Sequence, residues 1–243
     1  MVNDNDWDFF DQNGYVLIKG ILQGDYLKKI QNAYDEIWEK EGPRVNQHKL
    51  LKNPTFIELI EHPPLLDQHR AIFGSQTQLL QYDLLRQDPD SKKPDRGWHR
   101  DFSFPGDYPL SVNTIIYLDH MTDERGSTYV IPGSHRGWRQ VTERTRSKAM
   151  PDEVAIYAEP GDAAFINAAV WHSGGANQSD GWRRTIYPYY GHWWLKRYEW
   201  EHSLPWQCLK NASEQRLRLL GVLQPEDLHM YGVDALRNKG FGK

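Results

Sequence analysis

The chain has 243 residues, enough for one well-packed domain with a sizeable core, and we expect a single domain over residues 1–243. Its formal net charge is −4, from 29 basic and 33 acidic residues, which gives none of the broad basic surface typical of proteins that bind nucleic acids or anionic lipids. The single cysteine, Cys208, excludes an internal disulfide and favours a reducing, cytoplasmic setting, and no apolar run approaches the roughly 18 residues of a membrane span.

The first part of the sequence, about residues 1–75, predicts helices interrupted by one strand. A helix over DNDWDFFDQN should end at Gly14, and YVLI follows as a short buried strand. A longer helix is predicted between Asp25, as its N-cap, and Gly42, because apolar side chains recur on one helical face. Two shorter helices, in NPTFIELI and PPLLDQHRAIFG, each have proline near the first turn.

The middle part, about residues 76–192, predicts strands, and the remainder, about 193–243, predicts a helical tail. The strand segments are short, rich in β-branched and aromatic residues, and separated by turn residues. They are TQLLQYDLLRQ, GWHRDF, SVNTIIYLD, STYVIPGSH, EVAIYAEPG, DAAFINAAVWHSGG and RRTIYPYYG. Seven or eight such strands favour a sandwich or barrel, with surface loops at 87–95 and 136–152. In the tail, NASEQRLRLLG predicts a helix with Asn211 as its cap and Gly221 as its end.

One short motif places a histidine and a carboxylate two positions apart. In the predicted strand GWHRDF, residues i and i+2 point to the same face, so His99 and Asp101 should converge while Arg100 points away. A distant histidine, His172, ends the apolar run AAFINAAVW, which follows a tight turn at EPGD. Arg183 comes eleven positions later, 183 minus 172.

Two histidines, one carboxylate and a following arginine are typical of one kind of chemistry. A 2-His-1-carboxylate triad holds ferrous iron at three coordination positions and leaves three open, which suits a chelating 2-oxo acid and dioxygen. An arginine binds the remote carboxylate of 2-oxoglutarate better than a lysine does, because its planar guanidinium can donate two parallel hydrogen bonds. The motif therefore favours an oxygenase that uses iron(II), 2-oxoglutarate and dioxygen.

The succession GWHRD…VIPGSH…WHSGGANQSDGWRR and the opening FFDQNGYVLIKGIL resemble the phytanoyl-CoA dioxygenase family of iron(II)- and 2-oxoglutarate-dependent oxygenases. The resemblance runs from about Phe9 to Tyr190 and rests on the ordered set of motifs. It implies a mainly β fold with flanking helices, a double-stranded β-helix of the jelly-roll or cupin type. It also implies that His99, Asp101 and His172 are the iron ligands.

The resemblance implies roles for further residues. Arg183 would bind the remote carboxylate of 2-oxoglutarate, because the family's arginine also falls eleven residues beyond the second histidine, and Arg184 is the alternative. Arg86 lies where relatives place a polar contact to co-substrate or substrate. Family members often carry a hydroxyl two residues after the distal histidine; here that position is Gly174, and the available hydroxyl is that of Ser173, which we expect to help bind the co-substrate.

The residues around the ligands bear on the reaction and the substrate. Halide-transferring relatives replace the carboxylate with Gly or Ala, so Asp101 favours hydroxylation or another oxidation over halogenation. Four aromatic residues flank the ligands and are expected either to pack in the barrel wall or to contact substrate; they are Trp98, Phe102, Trp171 and Tyr189. Three further histidines are candidates for other roles: His135, a fourth ligand or, as its turn favours, a structural residue; His120, in an exposed loop; and His192, in either a pocket or the core.

The resulting expectation is a dioxygenase that oxidises, and in the simplest case hydroxylates, a C–H bond of a small or medium organic molecule such as a natural product or metabolite. Succinate and CO2 would be released, and neither a nucleic acid nor a membrane would be a partner. Two alternatives use the same barrel differently. One is a metal-dependent lyase or isomerase that uses the triad as a Lewis acid, and the other is a binding module without catalysis.

Overall fold

A computed structural model describes residues 4–91, 95–102, 104–197 and 203–223 of the chain. The helices are α1 Asp4–Asn13, α2 Gly24–Glu41, α3 Gln47–Leu50, α4 Pro54–Ile60, α5 Pro63–Phe73, α6 Trp206–Leu209 and α7 Glu214–Leu219. The strands are β1 Tyr15–Ile18, β2 Thr77–Gln87, β3 Ser111–Tyr117, β4 Thr128–Val130, β5 Val154–Ile156, β6 Ala163–Asn167, β7 His172–Gly174 and β8 Arg183–His192. None of these helices is long and apolar enough to span a membrane.

The predicted helices correspond to α1, α2, α4, α5 and α7, with two differences at their N-terminal caps, whereas the four-residue helices α3 and α6 were not predicted. The N-cap of α2 is Gln23, and the predicted cap Asp25 lies within the first turn of the helix. The N-cap of α7 is Ser213, whose hydroxyl accepts a hydrogen bond from the Arg216 amide at 3.0 Å, and not Asn211. Both errors are of two residues, because several neighbouring polar residues compete for the cap position. Of the predicted tail, residues 198–202 and 224–243 lie outside the described part.

The strands form two antiparallel sheets. The larger sheet has the order β1-β6-β3-β8-β2, and the smaller has the order β5-β4-β7. Because consecutive side chains alternate between the two faces of a strand, each strand of the larger sheet has one face toward the helices and one toward the smaller sheet. On β3, Val112 and Ile116 pack in the cluster that contains the helices, whereas Ile115 and Tyr117 pack with Val130 of the smaller sheet.

Two strand predictions need correction at the positions that matter most. The segment GWHRDF is not a strand: it is irregular, and its one ladder contact is an isolated antiparallel bridge between His99 and His172. The long segment DAAFINAAVWHSGG is two strands, β6 and β7, which belong to different sheets. The chain turns at residues 168–171, between β6 and β7. The apolar run therefore crosses from the larger to the smaller sheet, and His172 lies in the space between the two sheets.

A tight turn at Glu159–Asp162 attaches the chain that follows β1 to the start of β6. Gly161 has a φ of +95°, and its carbonyl accepts a hydrogen bond from the Leu22 amide at 2.9 Å. A Cβ atom at this position would lie 2.1 Å from the Leu22 carbonyl oxygen. The turn therefore requires glycine for two reasons, the left-handed backbone and the close approach of another backbone segment.

We expect Gly161→Ala to lower the free energy of unfolding by about 3 kcal/mol, since the added methyl must displace backbone as well as strain φ. Gly24→Ala is the matched control, because Gly24 also has a positive φ, +53°, but has no atom within 4 Å of an added Cβ. The control should lose only about 1 kcal/mol. Urea unfolding followed by circular dichroism measures both, and equal losses would show that the contact with Leu22 is unimportant.

Candidate metal centre

Three metal-ligand side chains converge between the sheets. The Nε2 atom of His99 lies 3.7 Å from Oδ1 of Asp101, and Nε2 of His172 lies 3.5 Å from Oδ2 of the same carboxylate. Each residue offers one ligand atom, and these atoms all lie within 4.8 Å of one another. This spacing is close enough for one ion to bind all three. In the described part of the chain it is the one group of three or more such residues with that property.

Backbone hydrogen bonds hold the irregular segment that carries two of these ligands. The His99 amide donates to the His172 carbonyl at 3.0 Å, and the His172 amide donates back to the His99 carbonyl at 3.0 Å. The Ser173 hydroxyl accepts from the Gly97 amide at 2.7 Å, and the Phe102 amide donates to the Ala168 carbonyl at 2.9 Å. The segment is thus fixed to β7 and to the turn before it, which compensates for the absence of a regular strand.

The tautomer of each histidine is set by its own backbone. Nδ1 of His99 donates to the Gly97 carbonyl at 2.8 Å, and Nδ1 of His172 donates to the Val170 carbonyl at 3.0 Å. A carbonyl oxygen can only accept, so Nδ1 carries the proton in the neutral ring and the lone pair is on Nε2, facing Asp101. Burial lowers the pKa of His99, and the nearby His172 lowers it further. A neutral imidazole is the form that binds a metal.

The ligands lie in a cavity of about 450 Å³ between the two sheets. Residues of the larger sheet alternate, so that every second side chain faces this space. The residues from the larger sheet are Gln81, Asp83, Leu85, Gln87, Asn113, Ile115, Arg183, Tyr187 and Tyr189; Leu84 also borders the cavity, although its side chain packs in the cluster that contains the helices. Those from the smaller sheet are Thr128, His172, Ser173 and Gly174, and the irregular segment adds His99 and Asp101. A concave site with a few convergent polar groups is typical of small-molecule binding.

Arg183 lines the same cavity and is 1% exposed. One of its terminal nitrogens donates to the Gly175 carbonyl at 3.2 Å and the other lies 3.4 Å from the Thr128 hydroxyl, while Nε has no partner. Within residues 4–91, 95–102, 104–197 and 203–223, no carboxylate forms an ion pair with it. A buried guanidinium without a counter-ion is costly, so this position is suited to an anionic ligand.

Arg184 and Arg86 lie on the opposite face of the larger sheet. They are directly opposed in the register of β8 and β2. Arg184 pairs with Asp119 at 2.8 Å and with Asp35 at 2.7 Å, so its charge is already satisfied. Arg86 pairs with Asp88 at 3.3 Å. Leu85 and Gln87 line the cavity and Arg86 does not, so the position of Arg86 gives no support to its predicted contact with co-substrate or substrate.

The hydroxyl groups near Arg183 are arranged differently from the sequence expectation. Ser173 lines the cavity, but its hydroxyl donates to the Gly174 carbonyl at 3.0 Å and accepts from Gly97. A Cβ at Gly174 would lie 3.2 Å from a terminal nitrogen of Arg183, so the glycine leaves room for the guanidinium. The hydroxyl that approaches the guanidinium belongs to Thr128 of the smaller sheet, a residue that sequence reasoning missed.

Of the four aromatic residues that flank the ligands, Tyr189 alone lines the cavity. Trp98 is fully buried, and its indole N–H donates to the Lys148 carbonyl at 2.9 Å. Trp171 donates in the same way to the Arg139 carbonyl at 2.8 Å. Phe102 packs against the small cluster formed by Leu80, Ala168 and Tyr189. The two tryptophans, each directly before a ligand, therefore bind loop 136–152 instead of facing the cavity.

The three remaining candidate histidines also lie outside the cavity. Nε2 of His135 lies 3.2 Å from the Asp11 carbonyl, in agreement with a structural role. His120 is exposed beside Glu159, as predicted for a loop residue. His192 is buried in an aromatic cluster with Phe73 and Trp194, and burial lowers its pKa to about 4.

Sequence reasoning also missed the polar side chains that β2 and β3 direct into the cavity. Asn113 interrupts the apolar strand SVNTIIY, and its amide donates to Oδ2 of Asp101 at 3.0 Å. Gln81, Asp83 and Gln87 alternate along β2. A polar residue at an inward position of an apolar strand is a readable signal, but which positions face inward depends on a register that the sequence does not show.

The residues of the cavity fit iron(II) and 2-oxoglutarate. Two imidazoles and one carboxylate are the donor set of a facial triad, and a buried arginine that forms no ion pair with a described carboxylate is suited to the remote carboxylate of the co-substrate. His99, Asp101 and His172 would hold the metal. Arg183, with Thr128 beside it, would hold the carboxylate.

Comparison with known proteins agrees with this site. The family model described as phytanoyl-CoA dioxygenase (PhyH) matches residues 10–185. The chain is 37% identical over 83 residues to a dioxygenase, cdmA, of Talaromyces verruculosus, a match that covers 34% of this chain and 27% of that protein. It is 27% identical over 203 residues to a dioxygenase, trt7, of Aspergillus terreus, which covers 72% of this chain and 68% of that protein.

Solved structures show the same fold. HygX of Streptomyces hygroscopicus, with nickel and 2-oxoglutarate bound, superposes with a TM-score of 0.70 at 18% identity, over 82% of this chain and 90% of that one. The epimerase SnoN from nogalamycin biosynthesis superposes with a TM-score of 0.64 at 21% identity, over 78% and 82%. The architecture is therefore a jelly roll. Since the family model covers most of the sequence, the chain belongs to the phytanoyl-CoA dioxygenase family of iron(II)- and 2-oxoglutarate-dependent oxygenases.

Proposed function

We propose that this protein is an iron(II)- and 2-oxoglutarate-dependent dioxygenase that hydroxylates a C–H bond of a small or medium organic molecule, a natural product or metabolite. The observation that carries the proposal is the presence in one cavity of the triad His99, Asp101 and His172 and of the buried Arg183, with which no described carboxylate forms an ion pair. A metal site alone would be compatible with Lewis-acid chemistry. The arginine adds a binding position for a second anionic group, which 2-oxoglutarate requires.

Each residue has a definite task in this proposal. His99, Asp101 and His172 bind the metal through one atom each, and the hydrogen bonds of both Nδ1 atoms keep the imidazole rings from turning. Arg183 binds the remote carboxylate of 2-oxoglutarate, in a part of the cavity from which the protein excludes bulk water. When iron(II) and 2-oxoglutarate are bound, they supply with dioxygen the oxidising chemistry that breaks a C–H bond and yields succinate and CO2.

The remaining wall of the cavity is where the substrate would bind. Tyr187 and Tyr189 of β8 and the amides of Gln81 and Gln87 of β2 provide both aromatic surface and hydrogen-bonding groups. Such a mixed lining suits an organic molecule with rings and polar substituents. The preference for a natural product is also supported by neighbours of the same fold: HygX has been solved with hygromycin B, and SnoN with nogalamycin RO.

Loss of a triad residue should abolish the reaction. We expect Asp101→Ala and His172→Ala to reduce succinate formation from 2-oxoglutarate to the background of metal-free protein, because two ligands do not retain the ion. His120→Ala is the control, as this exposed histidine lies outside the cavity and should keep full turnover. The measurement is succinate released by protein reconstituted anaerobically with iron(II) and then exposed to air, with a panel of candidate substrates. Bound metal without succinate throughout the panel would contradict the oxygenase and favour a Lewis-acid lyase or isomerase.

The two adjacent arginines provide a second test. We expect Arg183→Ala to raise the KM for 2-oxoglutarate by roughly 30-fold or more, since a buried charge pair would lose one partner. Arg184→Ala should leave this KM unchanged but lower the thermal unfolding midpoint, because Asp119 and Asp35 lose their partner. Steady-state succinate kinetics and thermal unfolding are measured on both variants. Equal KM values for Arg183→Ala and the unmodified protein would exclude Arg183 as the carboxylate-binding residue.

A further inference from the structure

Asn113 is a buried amide on the face of β3 that lines the cavity. The residue is 8% exposed and lies beside the triad, whereas Ile115, the next residue on this face, is buried and apolar, and Thr114, which follows Asn113 in the sequence, is a buried polar residue that faces the helices. A residue of this size could be replaced by leucine without changing the shape of the strand. The presence of an amide therefore needs a reason in its contacts.

The one side-chain hydrogen bond of Asn113 to any described residue is with a metal ligand. Its Nδ2 atom donates to Oδ2 of Asp101 at 3.0 Å. Since a carboxylate accepts and does not donate, this contact determines the orientation of the amide and turns its oxygen away from Asp101. The amide oxygen is buried and has no hydrogen-bond partner among the residues that the structure describes. A buried carbonyl without a hydrogen-bond partner destabilises the fold. Asn113 therefore lowers stability through its amide oxygen, and the hydrogen bond from its amide nitrogen to Asp101 is the contact that suggests a function.

The same contact distinguishes the two oxygens of Asp101. Oδ2 accepts the amide N–H of Asn113, whereas no hydrogen bond from a described residue reaches Oδ1. A carboxylate held in this way can bind an ion through Oδ1 while Oδ2 remains hydrogen-bonded. Binding through one oxygen matters here, because a carboxylate that binds through both oxygens would occupy a fourth coordination position and leave only two open.

We propose that Asn113 is a positioning residue of the metal centre: its amide N–H fixes the Asp101 carboxylate so that it binds the metal through a single oxygen. This inference rests on the proposed function, because it assumes that the triad holds an ion. It assigns to β3 a role that neither the sequence motif nor the family resemblance indicated. The amide oxygen lowers the stability of the fold, whereas the amide nitrogen fixes the orientation of the metal ligand Asp101.

The test uses the full chain, freed of metal and titrated with Co(II). Asn113→Leu keeps the size of the side chain and removes the donor. We expect its affinity for Co(II) to fall by roughly 10- to 100-fold, the range typical for loss of a group that orients a metal ligand. The visible absorption spectrum of the bound Co(II) should also change, because the carboxylate is free to rotate. The thermal unfolding midpoint of the metal-free variant should be unchanged or higher, since the unpaired amide oxygen is removed.

Thr114→Val is the matched control on the same strand. Thr114 is the next residue, faces the helices, and its hydroxyl lies 3.0 Å from Nε2 of the buried His69. The control should lower the unfolding midpoint and leave both the Co(II) affinity and the spectrum unchanged. If Asn113→Leu does not give a native circular dichroism spectrum, Asn113→Ala, which adds no atoms, takes its place with the same expected loss of affinity.

The outcomes distinguish a failure of the positioning role of Asn113 from a failure of the proposed function. If the unmodified protein binds Co(II) and the folded Asn113 variant binds it equally well with the same spectrum, the positioning role is wrong and the metal centre stands. If the unmodified protein does not bind Co(II), the proposed function is wrong and the role of Asn113 fails with it. A loss of affinity in Thr114→Val equal to that in the Asn113 variant would attribute the effect to the strand as a whole and would also overturn the positioning role.

Discussion

The pair of backbone hydrogen bonds between His99 and His172 is the contact on which the rest of the site depends. Each residue donates to the carbonyl of the other at 3.0 Å, although they are far apart in the sequence. This bridge is the one ladder contact of an otherwise irregular segment. It places both imidazoles on the same side of the backbone, and their ring centroids are 4.2 Å apart. Asp101 lies two residues beyond the bridge, and its carboxylate oxygens lie 3.7 Å from Nε2 of His99 and 3.5 Å from Nε2 of His172.

A segment without regular strand pairing needs other contacts to stay in position, and the two tryptophans provide them. Trp98 and Trp171 precede the two histidine ligands, and both donate their indole N–H to carbonyls of loop 136–152. Arg100, between the two ligands of the segment, donates to the carbonyls of Ser134 and Gly137. Trp98 and Trp171 therefore attach the two histidine ligands to loop 136–152. A large rigid side chain with one donor is well suited to this role.

The cavity has a negative and a positive charge at two separate positions, the first suited to a metal ion and the second to an anionic group. Asp101 carries negative charge beside the histidines, and Arg183 carries a positive charge that no described carboxylate neutralises. Burying an unpaired guanidinium is unfavourable for the folded protein alone, so the arrangement is best understood as one completed by an anion. The neighbouring Arg184, with two carboxylate partners on the other face of the sheet, contributes to stability instead.

The sequence by itself determined most of the secondary structure and the types and order of the ligand residues. The local signals are Gly14 and Gly42, which follow α1 and α2, the prolines at the starts of α4 and α5, and the alternation of β2, β3 and β8. The corresponding elements have nearly the predicted bounds.

Only the tertiary structure decided which side chains face the cavity. A shift in the register of β2 between Leu79 and Gln81 turns Gln81 and Asp83 inward and leaves Arg86 outside. Asn113, Thr128 and Arg183 meet the triad through strand pairings between distant segments, and no local pattern encodes such pairings because they depend on how the two sheets pack together.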